Sequence, residues 1–208
     1  WFDSTTLALV GSVAVGLDPN QIAIADDASM VYAGIDGERA LRSFRPATGA
    51  IGPLVPIRAP RDEPAIVEDL AVRPGSPNTV VVSKDKVGTT ASGALGVIRD
   101  DVEVGRGLGA APNANSIAFS DANTLIAYNN SSTAFDLASW SFDGPNLNLG
   151  QVTQGDIRGF GWGIEVAWGR VYGETGFVND AETLERVGRF PLLNANIEPI
   201  PEIGVTYF

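Results

Sequence analysis

Gln21-Ile22-Ala23-Ile24, Asp69-Leu70-Ala71-Val72, Ser116-Ile117-Ala118-Phe119 and Glu165-Val166-Ala167-Trp168 decide the fold of this chain. Each opens on a polar residue, is apolar afterwards and carries alanine in third place, and a poorer copy stands at Glu198-Pro199-Ile200-Pro201. Their starts lie 48, 47, 49 and 33 positions apart. A recurrence of roughly 40 to 50 residues is that of a four-stranded propeller blade. Alanine suits the innermost strand of such a blade, because blades converge there and larger side chains collide.

A second repeat fills the space between these strands. Asp3 to Val13 aligns without gaps on Asp180 to Phe190, sharing the Asp, a Thr-Leu pair and a Val-Gly pair, and Phe44 to Gly52 is a looser copy. Each reads as a strand, a polar turn and a returning strand, which is an antiparallel hairpin. Short runs rich in β-branched and aromatic residues, such as Met30 to Ala33, Thr79 to Val82, Thr124 to Tyr128 and Arg170 to Tyr172, are bounded by turn residues. Helical periodicity is absent over any stretch long enough to matter. The two repeats together predict an all-β propeller with blades near 17–60, 66–109, 113–154 and 157–193, and half-blades over 1–15 and 196–208. Two closures stay open. The half-blades pair into a fifth blade and close a ring, or the chain is an arc of a larger propeller of about seven blades. An arc leaves strand edges for another segment or molecule to cover, so self-assembly through the half-blades is a further expectation.

Composition narrows the chemistry. The 208 residues include 14 basic and 25 acidic side chains, a net charge of -11, which opposes broad phosphate contact and makes nucleic acid an improbable partner. There is no Cys and no His. That excludes disulfides, N/S-type zinc sites, thiol nucleophiles and every mechanism built on an imidazole base. No apolar run reaches the roughly 18 residues of a membrane helix. The start, Trp1-Phe2-Asp3-Ser4, lacks the pattern of a signal peptide, so any export signal has been removed or lies upstream. Lys84 and Lys86 read as a solvated turn.

The stretch from Val15 to Gly34, with Gly16-Leu17-Asp18-Pro19 feeding an inner strand and Asp26-Asp27-Ala28-Ser29 leading to Met30-Val31-Tyr32, resembles the blade motif of bacterial propellers of the YVTN or surface-layer repeat type. Asp69 to Pro77 and the Asp180 to Phe190 hairpin are similar to segments of large exported propellers. The resemblance covers most of the chain. It implies the propeller fold and an exported, extracellular or cell-surface location. Some related seven-bladed propellers are enzymes such as lactonases, but no lactonase-type metal constellation matches here residue by residue, so fold and location alone carry over.

Candidate sites follow from the repeat. Gln21, Asp69, Ser116, Glu165 and Glu198 head the inner strands, which places one polar group per blade around a single channel mouth. Such a ring suits a polyol or a hard cation such as calcium, which takes several carboxylate and carbonyl oxygens; it equally suits a water-filled channel. No other cofactor is implied. Glu68, Asp69 and Glu165 offer the paired carboxylates of glycoside chemistry. Phe160-Gly161-Trp162-Gly163 sets two aromatics between glycines, for contact with a glycan or protein surface if exposed, or for packing with Trp140 and Trp168 if buried. Asp143 to Asn148 reads as a hairpin turn, and Gly105-Arg106-Gly107-Leu108-Gly109 as a bulged strand end. Because the repeats are legible and no nucleophile is, the expectation is a non-catalytic binding or assembly module. The alternative is a carboxylate-based hydrolase or lyase, with or without calcium, at the channel mouth.

Overall fold

The computed structural model describes residues 1–3, 5–86, 94–108, 112–155, 157–191, 195–200 and 203–207. The chain is an all-β propeller. Its first blade is β1 (Pro19–Ile24), β2 (Val31–Ile35), β3 (Ala40–Arg45) and β4 (Ala50–Pro56), each antiparallel to the next. A short β5 (Arg58–Ala59) leads into the second blade of β6 (Glu63–Val72), β7 (Thr79–Lys86), β8 (Ala94–Arg99) and β9 (Val102–Leu108). The third holds β10 (Ser116–Phe119), β11 (Thr124–Tyr128), β12 (Asp136–Asp143) and β13 (Asn146–Gln154). The fourth holds β14 (Ile164–Ala167), β15 (Arg170–Gly173), β16 (Phe177–Asp180) and β17 (Arg186–Arg189), and β18 (Glu198–Ile200) pairs with β19 (Val205–Tyr207). Two single 3-10 turns, Asp36–Glu38 and Pro60–Asp62, are the helical content among the described residues, and no helix is long and apolar enough to cross a membrane.

The core lies between blades rather than within one. Successive side chains of a strand point to opposite faces, so a middle strand with a neighbour on both sides must be apolar throughout. On β7, Val80 and Val82 pack toward the first blade with Tyr32 and Leu41, while Val81 packs toward the third with Leu125 and Trp140. On β11, Leu125 and Ala127 face the second blade, and Ile126 and Tyr128 face the fourth with Ile157 and Val171. Polar links repeat at nearly one blade's spacing. Tyr32 donates its hydroxyl to Pro77 O (2.9 Å), Gly75 N–H donates to Asp26 Oδ2 (2.9 Å), and Arg73 donates to Ala122 O (2.6 Å) and Asn123 Oδ1 (3.0 Å).

The hairpin repeat is one turn built twice. Asp3 Oδ1 accepts from the amides of Thr5 (3.0 Å) and Thr6 (2.7 Å), and Asp180 Oδ1 from those of Glu182 and Thr183 (both 3.0 Å). The residue closing each turn is left-handed, Leu7 and Leu184 both at φ 57°, and Gly49 takes that place in the looser copy at φ 71°. Hydrogen bonds from the Thr6 and Thr183 amides are the first cause holding both aspartates below the usual carboxylate range.

Lys84 and Trp168 depart from expectation, and the structure decides between the two closures. β18 and β19 stand as a two-stranded sheet, and the hairpin of residues 1–11, reduced to the single bridge Phe2↔Leu9, packs by the first blade with Trp1 5.6 Å from Phe44. Among the described residues the half-blades do not pair with each other, which is the arc of the two closures. Lys84 lies on β7 rather than in a turn and is 5% exposed, its Nζ bonded to Glu103 Oε1 (2.5 Å) and Arg58 O (2.9 Å). Trp168 is no core residue: it occupies the β14–β15 turn at φ 50° and is exposed, whereas Trp140 is buried. Gly105 and Gly107 lie at the end of β9 as expected, where pairing with β8 shifts register between Val97↔Gly105 and Ile98↔Glu103 as a bulge does, and β9 also joins β13 in parallel (Leu147↔Gly107, Asn148↔Leu108), fusing the second and third blades into one nine-stranded sheet. A Cβ on Gly105 would lie 1.8 Å from Pro145 O, so this junction requires glycine.

Candidate functional site

The inner strands β1, β6, β10, β14 and β18 stand side by side in that order. Their converging ends enclose a cavity of about 1030 Å³, lined by all five strand-heading residues, Gln21, Asp69, Ser116, Glu165 and Glu198, together with Glu68, Asn115, Asn130 and Glu174. The heads have different duties, set by what the next blade offers. Asp69 Oδ2 accepts the Ile117 amide (2.7 Å) across the second junction, while its Oδ1 accepts that of Leu70 (2.8 Å). Ser116 Oγ accepts the Ile164 amide (3.2 Å) across the third. Those two heads are blade-to-blade staples, each satisfying an inner-strand N–H that would otherwise be buried unpaired. Glu165 and Glu198 are exposed to the channel, and Gln21 is half-buried on its wall.

Three carboxyls at the mouth are pushed upward. Burial raises Glu68 to about 7 against the lowering bond from Asn115, and raises Asp69 to about 6 against the amides of Ile117 and Leu70 and the Ser116 hydroxyl. Glu165, though its side chain meets the channel, is raised to about 7 first by the surrounding protein and then by the charges of Glu198, Asp69 and Glu174. A carboxyl near neutrality in a wet cleft can take a proton from water and return it. Glu68 is held by Asn115 Nδ2 (2.8 Å) on Oε1, and its buried Oε2 has no partner. Ser131 Oγ donates to Asn115 Oδ1 (2.9 Å), and a neighbouring pair, Asn129 Nδ2 to Asp136 Oδ2 (3.0 Å), continues the polar packing behind the wall.

Sequence reading missed Asn115, Asn130 and Glu174. The signal for Asn115 was present: the residue before a head is polar in three blades, Asn20, Glu68 and Asn115, and Asn20 likewise reaches the next blade at Val67 O (2.9 Å). Asn130 and Glu174 shape the loop before β14. Asn130 Nδ2 donates to Trp162 O (2.9 Å), Gly161 N–H donates to Asn130 O (3.2 Å), and Gly163 N–H donates to Glu174 Oε2 (2.5 Å). Gly161 and Gly163 line the cavity, but Phe160 and Trp162 do not. Phe160 is exposed with its ring edge-on to Phe135 at 4.9 Å, and Trp162 is half-buried.

The mouth as it stands does not fit a calcium ion. Among the described residues no three carboxylates converge closely enough to share a cation, and both Asp69 oxygens are engaged by backbone amides.

No protein-family profile matches the chain, and no curated protein matches it. Solved structures do. A functionally unknown protein from Desulfotomaculum acetoxidans superposes with a TM-score of 0.61 at 18% identity, over 89% of this chain and 60% of that one. A gluconolactonase from Xanthomonas campestris gives 0.58 at 16% identity, over 86% and 64%. A Bacteroides uniformis protein provisionally named a 6-phosphogluconolactonase gives 0.63 at 18%, over 92% and 64%. The chain thus spans less than two thirds of the length of each. At these identities the likeness establishes the propeller fold, and it is not to surface-layer repeat proteins in particular. It also corrects the expectation of a non-catalytic module, since these similar propellers include ones named as lactone-cleaving enzymes.

Proposed function

We propose that this propeller hydrolyses a small polyhydroxylated lactone at its channel mouth, with Glu165 as general base. The observation that carries the reading is Glu165 itself, a channel-facing carboxyl raised to about 7 on the wall of a cavity large enough for a sugar-sized ring. Water attacks the ring carbonyl carbon as Glu165 takes its proton. The tetrahedral centre then collapses with cleavage of the ring C–O bond, and the departing oxygen receives the proton back from Glu165. One water is consumed, one hydroxy acid is formed, and the base is restored.

The rest of the mouth fits that role. Gln21 and the glycine-rich loop held by Asn130 line the same cavity and offer polar atoms to ring hydroxyls. Glu198 and Glu174 keep the field negative, which raises the basicity of Glu165 and repels the carboxylate product. The names of the similar propellers support the substrate class.

The test is proton release from an aldonolactone in a pH-stat, corrected for spontaneous opening. The native protein should accelerate opening with kcat/KM rising through about pH 7, and Glu165→Gln should lower it by at least ~10²-fold. Rates equal to the buffer blank, or a Glu165→Gln variant as fast as the native protein, would reject the assignment.

A further inference from the structure

Two successive residues of β6, Glu68 and Asp69, both reach the third blade, although neighbouring side chains of a regular strand point to opposite faces. A bulge is the cause. The pairing of β6 with β7 runs Val67↔Lys84 and then Asp69↔Ser83, so Glu68 is an extra residue turned onto the side that Asp69 occupies. Its carboxyl thereby lands on the cavity wall at the junction with the third blade, beside two polar side chains that are almost wholly buried, Asn115 at 2% exposure and Ser83 at 0%.

The supply of hydrogens at this junction decides the state of the carboxyl. Asn115 Nδ2 donates to Oε1 (2.8 Å). Ser83 is close enough to act on the same carboxyl, but it has one hydroxyl hydrogen, and its Oγ donates that hydrogen to Ala114 O. Oε2 is left buried without a donor. A carboxylate would hold unanswered charge there, whereas a carboxylic acid supplies the missing hydrogen itself, from Oε2 to a lone pair of Ser83 Oγ.

We propose that Glu68, Ser83 and Asn115 form a proton-operated latch between the second and third blades. Closed, it runs from the Glu68 Oε2 hydrogen to Ser83 Oγ and from the Ser83 hydrogen to Ala114 O, with Asn115 Nδ2 on Oε1. Both arms hold Ala114 and Asn115, the two residues that lead into Ser116 at the head of β10. Loss of the one proton to water opens it: the Ser83 hydrogen turns to Oε2, and the buried Ala114 O loses its donor. The surroundings favour the closed form. Burial raises the Glu68 carboxyl to about 7 against the bond from Asn115, and the negative charges of Asp85 on β7 and Asp69 on β6 add to the rise. Lys84 points to the other face of β7, where it is bound by Glu103 and Arg58 O. The first blade contributes Asn20, which donates to Val67 O and Asp36 Oδ2, and the third contributes the uncharged Asn115 and Ser131. The wall of the mouth is fastened below about pH 7 and loosened above it, whatever the site binds and independently of the hydrolase reading.

The test is an NMR titration of isotope-labelled protein across about pH 5–9, following the Glu68 carboxyl carbon and the Asn115 side-chain amide. Both signals should move together with one midpoint at about 7. Ser83→Ala removes the acceptor of the acid hydrogen and should lower that midpoint by on the order of one pH unit. Were Ser83 a donor to the carboxylate instead, its removal would raise the midpoint, so a raised or unmoved value overturns the latch. Glu68→Gln sets one amide hydrogen on Ser83 at every pH and leaves the other unpaired; it should abolish the Asn115 step, and a step that persists overturns the proposal. Exchange of the Asn115 backbone N–H, which bonds to Tyr128 O (3.0 Å), needs no change at Ser83. In the native protein it should rise more steeply than hydroxide concentration through pH 7, and in Glu68→Gln it should not; equal slopes also overturn the latch.

Discussion

Replacing Glu68 by glutamine should stabilise the protein above pH 7 and weaken it slightly at pH 4. The Glu68 carboxyl sits on the cavity wall with Oε1 bonded to Asn115 and Oε2 buried without a partner, and burial raises it from the usual 4.5 to about 7. Below pH 4.5 the folded and unfolded chains both hold the proton, and the group costs nothing. Between 4.5 and about 7 the unfolded chain releases it while the fold retains it, so stability falls as pH rises; above about 7 the cost is complete. At ~1.4 kcal/mol per pH unit the interval corresponds to about 3 kcal/mol. The half-buried position lets solvent screen part of that. Glutamine keeps the acceptor for Asn115 but places an amide where Oε2 was, at a cost of about 1 kcal/mol. The expected gain at pH 8 is therefore about 1–2 kcal/mol, turning into a loss of up to about 1 kcal/mol at pH 4, where the amide's cost alone remains. Urea unfolding followed by fluorescence of the four tryptophans at pH 4, 6 and 8 measures it; the contribution of Glu165 cancels in the difference between the two proteins, and that of Asp69, whose charge acts on Glu68, cancels in part. A difference independent of pH, or a variant weaker at pH 8, would refute the reasoning.

Gly105→Ala should cost about 2 kcal/mol or more and lower Tm on the order of 5 °C, because its Cβ meets a backbone oxygen at 1.8 Å, whereas Gly107→Ala, whose nearest neighbours are side-chain atoms at 3.1 Å and beyond, should cost less; thermal melts that rank the two the other way would discount the parallel β9–β13 junction. Lys84→Ala should cost about 2–3 kcal/mol by urea unfolding, since it strips the buried end of an ion pair whose Glu103 is 33% exposed, and Lys84→Met, which refills the space beside Gly96, should recover about half of that; equal losses would mean that charge rather than packing decides.

How much of this was legible depends on how local each cause is. The propeller could be read because its signals are short-range: a strand-heading polar residue, an alanine two places on, and a middle strand apolar throughout, as at Val80 to Val82 and Leu125 to Tyr128. The aspartate turns could be read for the same reason, since every bond that builds them lies within five residues. Gln21, Asp69, Ser116 and Glu165 recur 47 to 49 positions apart and Glu198 follows after 33, and all five line the cavity.

What each head does was not legible. Asp69 and Ser116 became staples because the amides of Ile117 and Ile164, 48 residues later, fall within reach, while Glu165 was left facing water. Lys84 reads as a surface cation until folding carries it past Gly96 to a glutamate 19 residues away. The β9–β13 fusion likewise depends on two outer strands meeting edge to edge. Side-chain type and spacing determined the strands, their turns and their periodic order, because those follow from backbone geometry within a few residues. The raised carboxyls and the staples were decided only by the tertiary structure, because desolvation and hydrogen bonding across a junction depend on which atoms of a neighbouring blade arrive at the same point in space.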